Sequence, residues 1–339
     1  MASPRRRFLL AGGLAVALGR PVRAQQPPGD PLTFAALGDT PYHAGEAAML
    51  AAMIEQMNAD PTLRFVVHVG DIKGGKEPCS DRLLRERHAL LARIRHPWLF
   101  TPGDNEWTDC HVRTAGRRDP LDRLRFLRRL FYGPAARPAY AALVTESQAA
   151  QATFAPFVEN LLFEVDRTVF ATVHVVGSDN GLKPWEGYDP QDQRSAPRAD
   201  RLAEFRARRG AALAWIDCAF ARAAQNEAPA VVLFMHANPR FELFVRDRRR
   251  AGFNEIIERL RVRARAFTRP VLLIHGDRHW YLIDHPFDPD GAPNLTRMQV
   301  PGSPFAAWVK VRVEPQASMP FGFELRWPGD RNDAQPGGT

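Results

Sequence analysis

Lysine, cysteine and long apolar runs are what this sequence has least of. Only four of its 46 basic residues are lysine (Lys73, Lys76, Lys183 and Lys310), so its positive charge is almost wholly arginine, a bias of composition more than a sign of a partner. Three cysteines (Cys79, Cys110 and Cys218) are too few for a disulfide-built scaffold, and none has the C-x-x-C spacing of a zinc site. No apolar run reaches the about 20 residues that a membrane-spanning helix needs. Internal repeats and coiled-coil heptads are also absent. The net charge of +8 is concentrated at the start: residues 1–24 hold five arginines and no acid, leaving +3 without them. A chain near +3 gives no support for nucleic-acid binding.

That basic start reads as a leader. Ser3–Leu10 is S-P-R-R-R-F-L-L, followed by the apolar Ala11–Leu18 and the small-x-small triplet Val22-Arg23-Ala24. The order resembles a twin-arginine signal, which implies passage through the twin-arginine export machinery in folded form; an ordinary secretory leader is the alternative. The expected division is a signal peptide at 1–24, a folded domain over 30–328 and a disordered Gly/Pro/Asp-rich tail at 329–339. The mature protein is then periplasmic or secreted, with no stable membrane insertion after cleavage. In an oxidising compartment cysteines pair. Cys79 lies eight residues after Asp71 and Cys110 six after Asp104, so if those aspartates meet, a Cys79–Cys110 bridge follows and Cys218 stays a free, buried thiol.

What the chain does have is one pattern repeated. Arg64–Asp71 reads R-F-V-V-H-V-G-D, a β-branched run closed by Gly-Asp. It is too short for a helix and reads as a buried strand that delivers its Asp at the carboxyl end, where open α/β sheets place ligands. Thr33–Asp39, Trp98–Asp104 and Val271–Asp277 repeat it, and Val231–His236 ends in His. A Gly-Asp by itself is usually a turn. Core packing alone does not account for five strands each delivering a metal-type side chain at the same end.

Helical spacing predicts helices over Gly45–Met57, Ser80–Ile94 (capped by Ser80), Pro120–Phe131, Arg198–Ala224 and Phe253–Phe267. The arginines of Pro120–Phe131 are expected on a solvated face. Tyr132–Phe157 reads as a lid or surface excursion, Leu161–Gly177 as a hairpin turning at Asp166-Arg167, and Asp179–Ala196 as a long loop over the site. Four short strands follow at His279–Asp284, Thr296–Val300, Trp308–Glu314 and Gly322–Trp327. Alternating β/α units followed by β hairpins predict an α/β fold: a four-layer α/β/β/α sandwich of two mixed sheets flanked by helices.

Taken together, the motifs resemble the calcineurin-like metallophosphoesterase superfamily, purple acid phosphatases included. The ordered blocks stand here as Gly38-Asp39-Thr40-Pro41-Tyr42, Gly70-Asp71, Gly103-Asp104-Asn105-Glu106, His236 and Gly276-Asp277-Arg278-His279, over Leu32–Tyr281. The resemblance implies two divalent or trivalent metal ions bridged by Asp71. Asp39 and His279 would hold the first, and Asp104, His236 and Asp277 the second. It also implies hydrolysis of a small phosphate mono- or diester by metal-activated water.

Three departures follow. Pro41 falls where the family has its first His, leaving Tyr42 or His43 to substitute. Asp104 stands for Asn and Asn105 for the His that assists the leaving group; in an alternative alignment Asn105 is itself the amide ligand. Asp277 replaces the first His of the last block. Oxygen donors in place of two histidines favour Mn, Mg, Ca or Fe over Zn. The proton for the leaving group must then come from His43, Glu106 or a metal-bound water, unless the leaving group is one, such as an aryl phenolate, that needs little protonation. The rival reading is a degenerate member of the family acting as a binding module.

Other residues have quieter expectations. His68 and His174 are expected in the core or behind the ligands, and His275 in either place. Trp107 and Trp280 either wall the pocket or simply pack, and Arg246 and Arg248–Arg250 are expected as a solvated charge run. Replacing Arg5 and Arg6 with Lys should block export of a twin-arginine substrate; fractionation showing undiminished export would assign the leader to the general secretory route.

Overall fold

The computed structural model describes residues 31–329, apart from 144–145 and 288–290; the leader and nearly all of the expected tail lie outside the described residues. Five strands form one sheet. In it β1 (Leu32–Leu37), β2 (Leu63–His68) and β3 (Trp98–Phe100) run parallel, linked by α1 (Ala44–Ala59) and α2 (Asp81–Leu91). The hairpin β11 (Trp308–Val313) and β12 (Phe321–Arg326) extends it antiparallel from β1.

Seven strands form the other sheet. Here β6 (Thr168–Thr172), β7 (Val231–Phe234), β8 (Val271–His275) and β10 (Leu295–Gln299) are parallel. Antiparallel partners close both ends: β5 (Leu161–Val165) and β4 (Glu146–Ser147) on one side, β9 (Leu282–Asp284) on the other. The order across the sheet is β4-β5-β6-β7-β8-β10-β9. The β5–β6 turn falls at Asp166 and Arg167, both at positive φ (47° and 64°), as a tight hairpin requires.

Period-2 alternation assigns each strand residue to a layer. Phe34, Phe65, Val67, Phe163, Phe170, Val232, Phe234, Leu272 and Ile274 meet between the sheets. Five of them are phenylalanines; Phe34 and Phe65 stack at 4.8 Å, and Phe163 and Phe170 at 5.1 Å. The opposite faces carry Ala35, Leu37 and Val66 toward α1, α2 and α3 (Pro120–Tyr132). Val169, Val231, Leu233 and Val271 face α4 (Ala199–Gln225) and α5 (Asn254–Phe267). The result is the expected α/β/β/α sandwich. No helix among the described residues is long and apolar enough to cross a membrane.

Two expectations change. The arginines of α3 are not simply solvated. Arg123 is buried and paired with Asp81 and Asp122, and Arg128 reaches the fully buried Glu159, which also bonds His174 at 2.6 Å. Burial raises the Glu159 pKa, but Arg128 and His174 outweigh it and hold the carboxylate at about 2. The segment after α3 is also more than an excursion: it carries the edge strand β4 and the buried Leu143 and Gln148.

Cys79 and Cys110 are disulfide-bonded across 31 residues, and Cys218 is free and half-buried. Closing a loop of that length contributes about 3–4 kcal/mol. Removing the arginine beside Glu159 leaves a buried carboxylate without its main counter-charge. Arg128→Met should therefore destabilise the fold by about 3 kcal/mol or more in urea unfolding; a loss below about 1 kcal/mol would make the pair no stronger than a surface one.

Candidate metal centre

The carboxyl ends of β1, β2, β3, β7 and β8 converge, and each is followed by one of the expected residues. Asp39, Asp71 and Asp277 take positive φ (53°, 56° and 77°), so each chain turns sharply as its carboxylate enters the cluster. The glycine of each Gly-Asp pair has a spatial reason. A Cβ at Gly103 would collide with Oδ1 of Asp71, and one at Gly276 with Oδ2 of Asp39. Gly103 and Gly276 thus leave room for the carboxylate of a neighbouring loop, whereas Gly38 makes room for Val69 and Gly70 for the Gly103 backbone and His236.

Two adjoining groups result. Ligand atoms of Asp39, Asp71 and His236 lie within 4.8 Å of one another, as do those of Asp104, His236 and Asp277. His236 is wholly buried, and its Nδ1 donates to the Val69 carbonyl at 2.9 Å. A carbonyl only accepts, so in the neutral ring Nε2 presents a lone pair inward. That atom has no hydrogen-bond partner, and Oδ1 of Asp71 and Oδ1 of Asp104 each lie 3.4 Å from it. A lone pair facing two carboxylates needs a proton or a cation between them. The donor set fits a metal ion.

Electrostatics agree. Burial, reinforced by Asp277, raises the Asp39 pKa to about 7, and burial with Asp104 raises Asp277 to about 6. Burial also pushes Asp71 well above the usual carboxylate range. Asp104 moves the other way: burial raises it, but His236 and the Ser178 hydroxyl outweigh burial and lower it. Burial opposes a charge on His236, yet Asp71, Asp104 and Asp39 hold its pKa well above that of a free imidazole. Asp39, Asp71 and Asp277, crowded with Asp104 around one imidazole, hold on to protons that a bound cation would displace.

The remaining predicted residues divide. Tyr42 enters the site, its hydroxyl 2.8 Å from Oδ2 of Asp71 and 3.1 Å from Nε2 of His279. Burial and Asp71 raise the phenol well above 10, so Tyr42 is a neutral donor, not a phenolate. His279 donates from Nδ1 to the Ser303 carbonyl at 2.8 Å and brings Nε2 to 3.6 Å from Asp39. Asn105 donates to both Asp71 oxygens, from its backbone at 3.0 Å and its side-chain amide at 2.6 Å.

His43 caps α1, accepting from the Glu46 N–H at 3.3 Å; its side chain is 64% exposed and does not line the pocket in front of the cluster. Glu106 stays outside the pocket as well. It is fully buried, accepts from the N–H groups of Gly103 and Asp71 at 2.6 and 3.1 Å, and braces two ligand loops from behind without reaching the pocket.

His68 also braces from behind, bonding the Thr40 carbonyl at 2.9 Å and the Gly70 N–H at 3.2 Å. His275 is buried at the end of β8. Trp107 is core, edge-on to His174, whereas Trp280 is half exposed.

Sequence reasoning missed Ser178, whose hydroxyl lies 2.9 Å from Asp104 and 2.7 Å from Asp109. The only signal was its place beside a loop expected to cover the site. The pocket in front of the cluster, about 600 Å³, is lined by Tyr42, Asp71, Lys76, Asn105, Asp277 and His279 among others.

Gly276→Ala should displace the Asp39 carboxylate and reduce the metal bound per chain, read by elemental analysis, with the circular dichroism spectrum retained. Undiminished metal content would show that Asp39 is not a ligand.

No protein-family model matches the chain, and no curated protein matches it. Solved structures similar to it include the anchor of the inner membrane complex of Plasmodium, with TM-score 0.46, 10% identity, 89% of this chain covered and 90% of that one. The 5′-nucleotidase precursor from Thermus thermophilus has TM-score 0.43 and 10% identity, with 88% and 54% covered. A purple acid phosphatase from yellow lupin seeds has 0.45 and 12%, with 89% and 52% covered. The chain therefore spans about half the length of these last two proteins.

Proposed function

We propose that this chain is an exported, metal-dependent phosphoesterase that hydrolyses a small phosphate mono- or diester. The observation that carries the reading is the unpartnered His236 Nε2 among the buried carboxylates of Asp39, Asp71 and Asp104 and the half-buried one of Asp277. Asp39, Asp71 and His279 would hold one ion, and Asp104, His236 and Asp277 a second. Asp71, whose carboxylate has two oxygens where an imidazole nitrogen has one lone pair, is suited to bridge them. Bound there, the ions would neutralise the ester's oxygens and lower the pKa of water enough to yield a nucleophile near neutral pH. An oxygen-rich donor set favours Mn, Mg, Ca or Fe over Zn.

The chain's own groups have narrower tasks. Asn105 and Tyr42 fix the Asp71 carboxylate with three hydrogen bonds. Neither His43 nor Glu106, the expected side-chain acids, lines the pocket in which the departing oxygen would be protonated. A good leaving group then matters more than usual. The modest mature charge favours a small ester over a nucleic acid, and the Cys79–Cys110 bridge supports a periplasmic or secreted location.

One observation favours the binding-module reading instead: the Tyr42 hydroxyl occupies hydrogen bonds to Asp71 and His279 that the first ion would replace. Metal-stripped protein titrated with Mn²⁺ separates the two. The enzyme should bind near two ions and hydrolyse p-nitrophenyl phosphate or its bis ester, with alkyl phosphates slower by roughly 10²-fold or more because neither His43 nor Glu106 lines the pocket. No turnover and no bound metal in folded protein would leave the binding module.

A further inference from the structure

A second hollow adjoins the metal centre. It has a volume of about 210 Å³ and shares Asp277 as a wall with the main pocket. Three separate segments bring cations to it. Lys183 and Arg194 come from the loop before α4, Arg240 from the loop after β7, and Arg249 from the short turn Arg248–Phe253.

Four cations and two carboxylates, Asp179 and Asp277, line it, and Asp109 lies near enough to feel the charge of Lys183. Arg194 reaches Asp179 at 3.3 Å, and Arg249 is held by Asp247 at 2.7 Å. The other two are freer. Arg240 is 3.9 Å from Glu242, and the Lys183 ammonium has no hydrogen-bond or ion-pair partner among the described residues. Arg249 stays solvated, as expected of the arginine run, with its side chain 67% exposed at the rim of the hollow.

The hollow is tied rigidly to the metal centre. The Asn238 N–H donates to Oδ2 of Asp277 at 3.0 Å, and its Oδ1 accepts from the Arg240 N–H at 2.8 Å. Ser178, on the wall of the hollow, bonds Asp104. The hollow is smaller than the roughly 300–1,000 Å³ that holds a drug-sized ligand, so it suits one compact group.

Resting on the phosphoesterase reading, we propose that this hollow holds a second phosphoryl group of the substrate, so that the preferred ligands are small bisphosphorylated molecules. One phosphoryl group sits at the metal centre, and the other is held by Lys183 and Arg240 with Arg194 and Arg249 around it. Charge-assisted hydrogen bonds of this kind discriminate by about tenfold or more.

The test is calorimetric titration of the Mn²⁺-loaded protein with fructose 1,6-bisphosphate and with fructose 6-phosphate. The bisphosphate should bind about tenfold tighter or better, and Lys183→Ala/Arg240→Ala should bring the ratio of the two affinities close to one. Arg240→Lys, which keeps the charge and disturbs packing least, should retain part of the preference. Equal affinities in the unaltered protein, or an undiminished ratio in the double variant, would overturn the proposal. Calorimetry does not need turnover: a ratio that collapses as expected in a protein inert toward p-nitrophenyl phosphate supports the subsite while removing the hydrolytic reading.

Discussion

Mutual repulsion among buried carboxylates is the constraint on which the rest of this structure depends. Asp39, Asp71, Asp104 and Asp277 are brought into one desolvated space with His236 as the central base. In such a space like charges raise one another's pKa until a proton or a cation intervenes. The fold supplies partial answers in the form of backbone N–H groups aimed at carboxylate oxygens, such as Asp277 to Asp39 and Asn238 to Asp277. It leaves the Nε2 of His236 without one.

Holding those groups together falls to the sandwich. Each ligand follows a strand whose alternate residues are locked between the sheets, where Phe34, Phe65, Phe163, Phe170 and Phe234 interleave. Close packing of that kind transmits position well, because a one-residue slip would turn every core side chain to the wrong layer. The disulfide ties the loops after Asp71 and Asp104 to each other, behind the site. The same loops carry Glu106, which joins them by two backbone hydrogen bonds.

The basic hollow and the metal centre are built from shared parts. Asp277 faces both, and Ser178 of the hollow bonds Asp104 of the pocket, so charge in one is felt in the other. Arginines dominate the sequence's positive charge, yet several are committed inward: Arg123 and Arg128 to carboxylates, Arg201 to the buried Asp192, Arg208 to Asn180. Their planar, multi-donor heads suit that use better than lysine would.

Local pattern by itself determined much of this protein. Short β-branched runs ending in Gly-Asp can be little else than buried strands, and the apolar periodicity between them marks the crossover helices, so the two-sheet sandwich was legible. So were Asp39, Asp71, Asp104, His236 and Asp277, because strand ends of one direction meet at one edge of a sheet. Only tertiary structure decided the neighbours one or three residues away. His43 turns out to cap a helix and Glu106 to brace loops, since side-chain direction after a sharp turn depends on the φ of that turn and on what packs behind it. Tyr42 enters the cluster for the same reason. Ser178, Lys183, Arg194, Arg240 and Arg249 carried little signal beyond the loop expected over the site at Asp179–Ala196 and the arginine run at Arg248–Arg250. They lie on loops without periodicity, and their meeting is set by how those loops pack over the sheet, which no short-range pattern in the chain encodes.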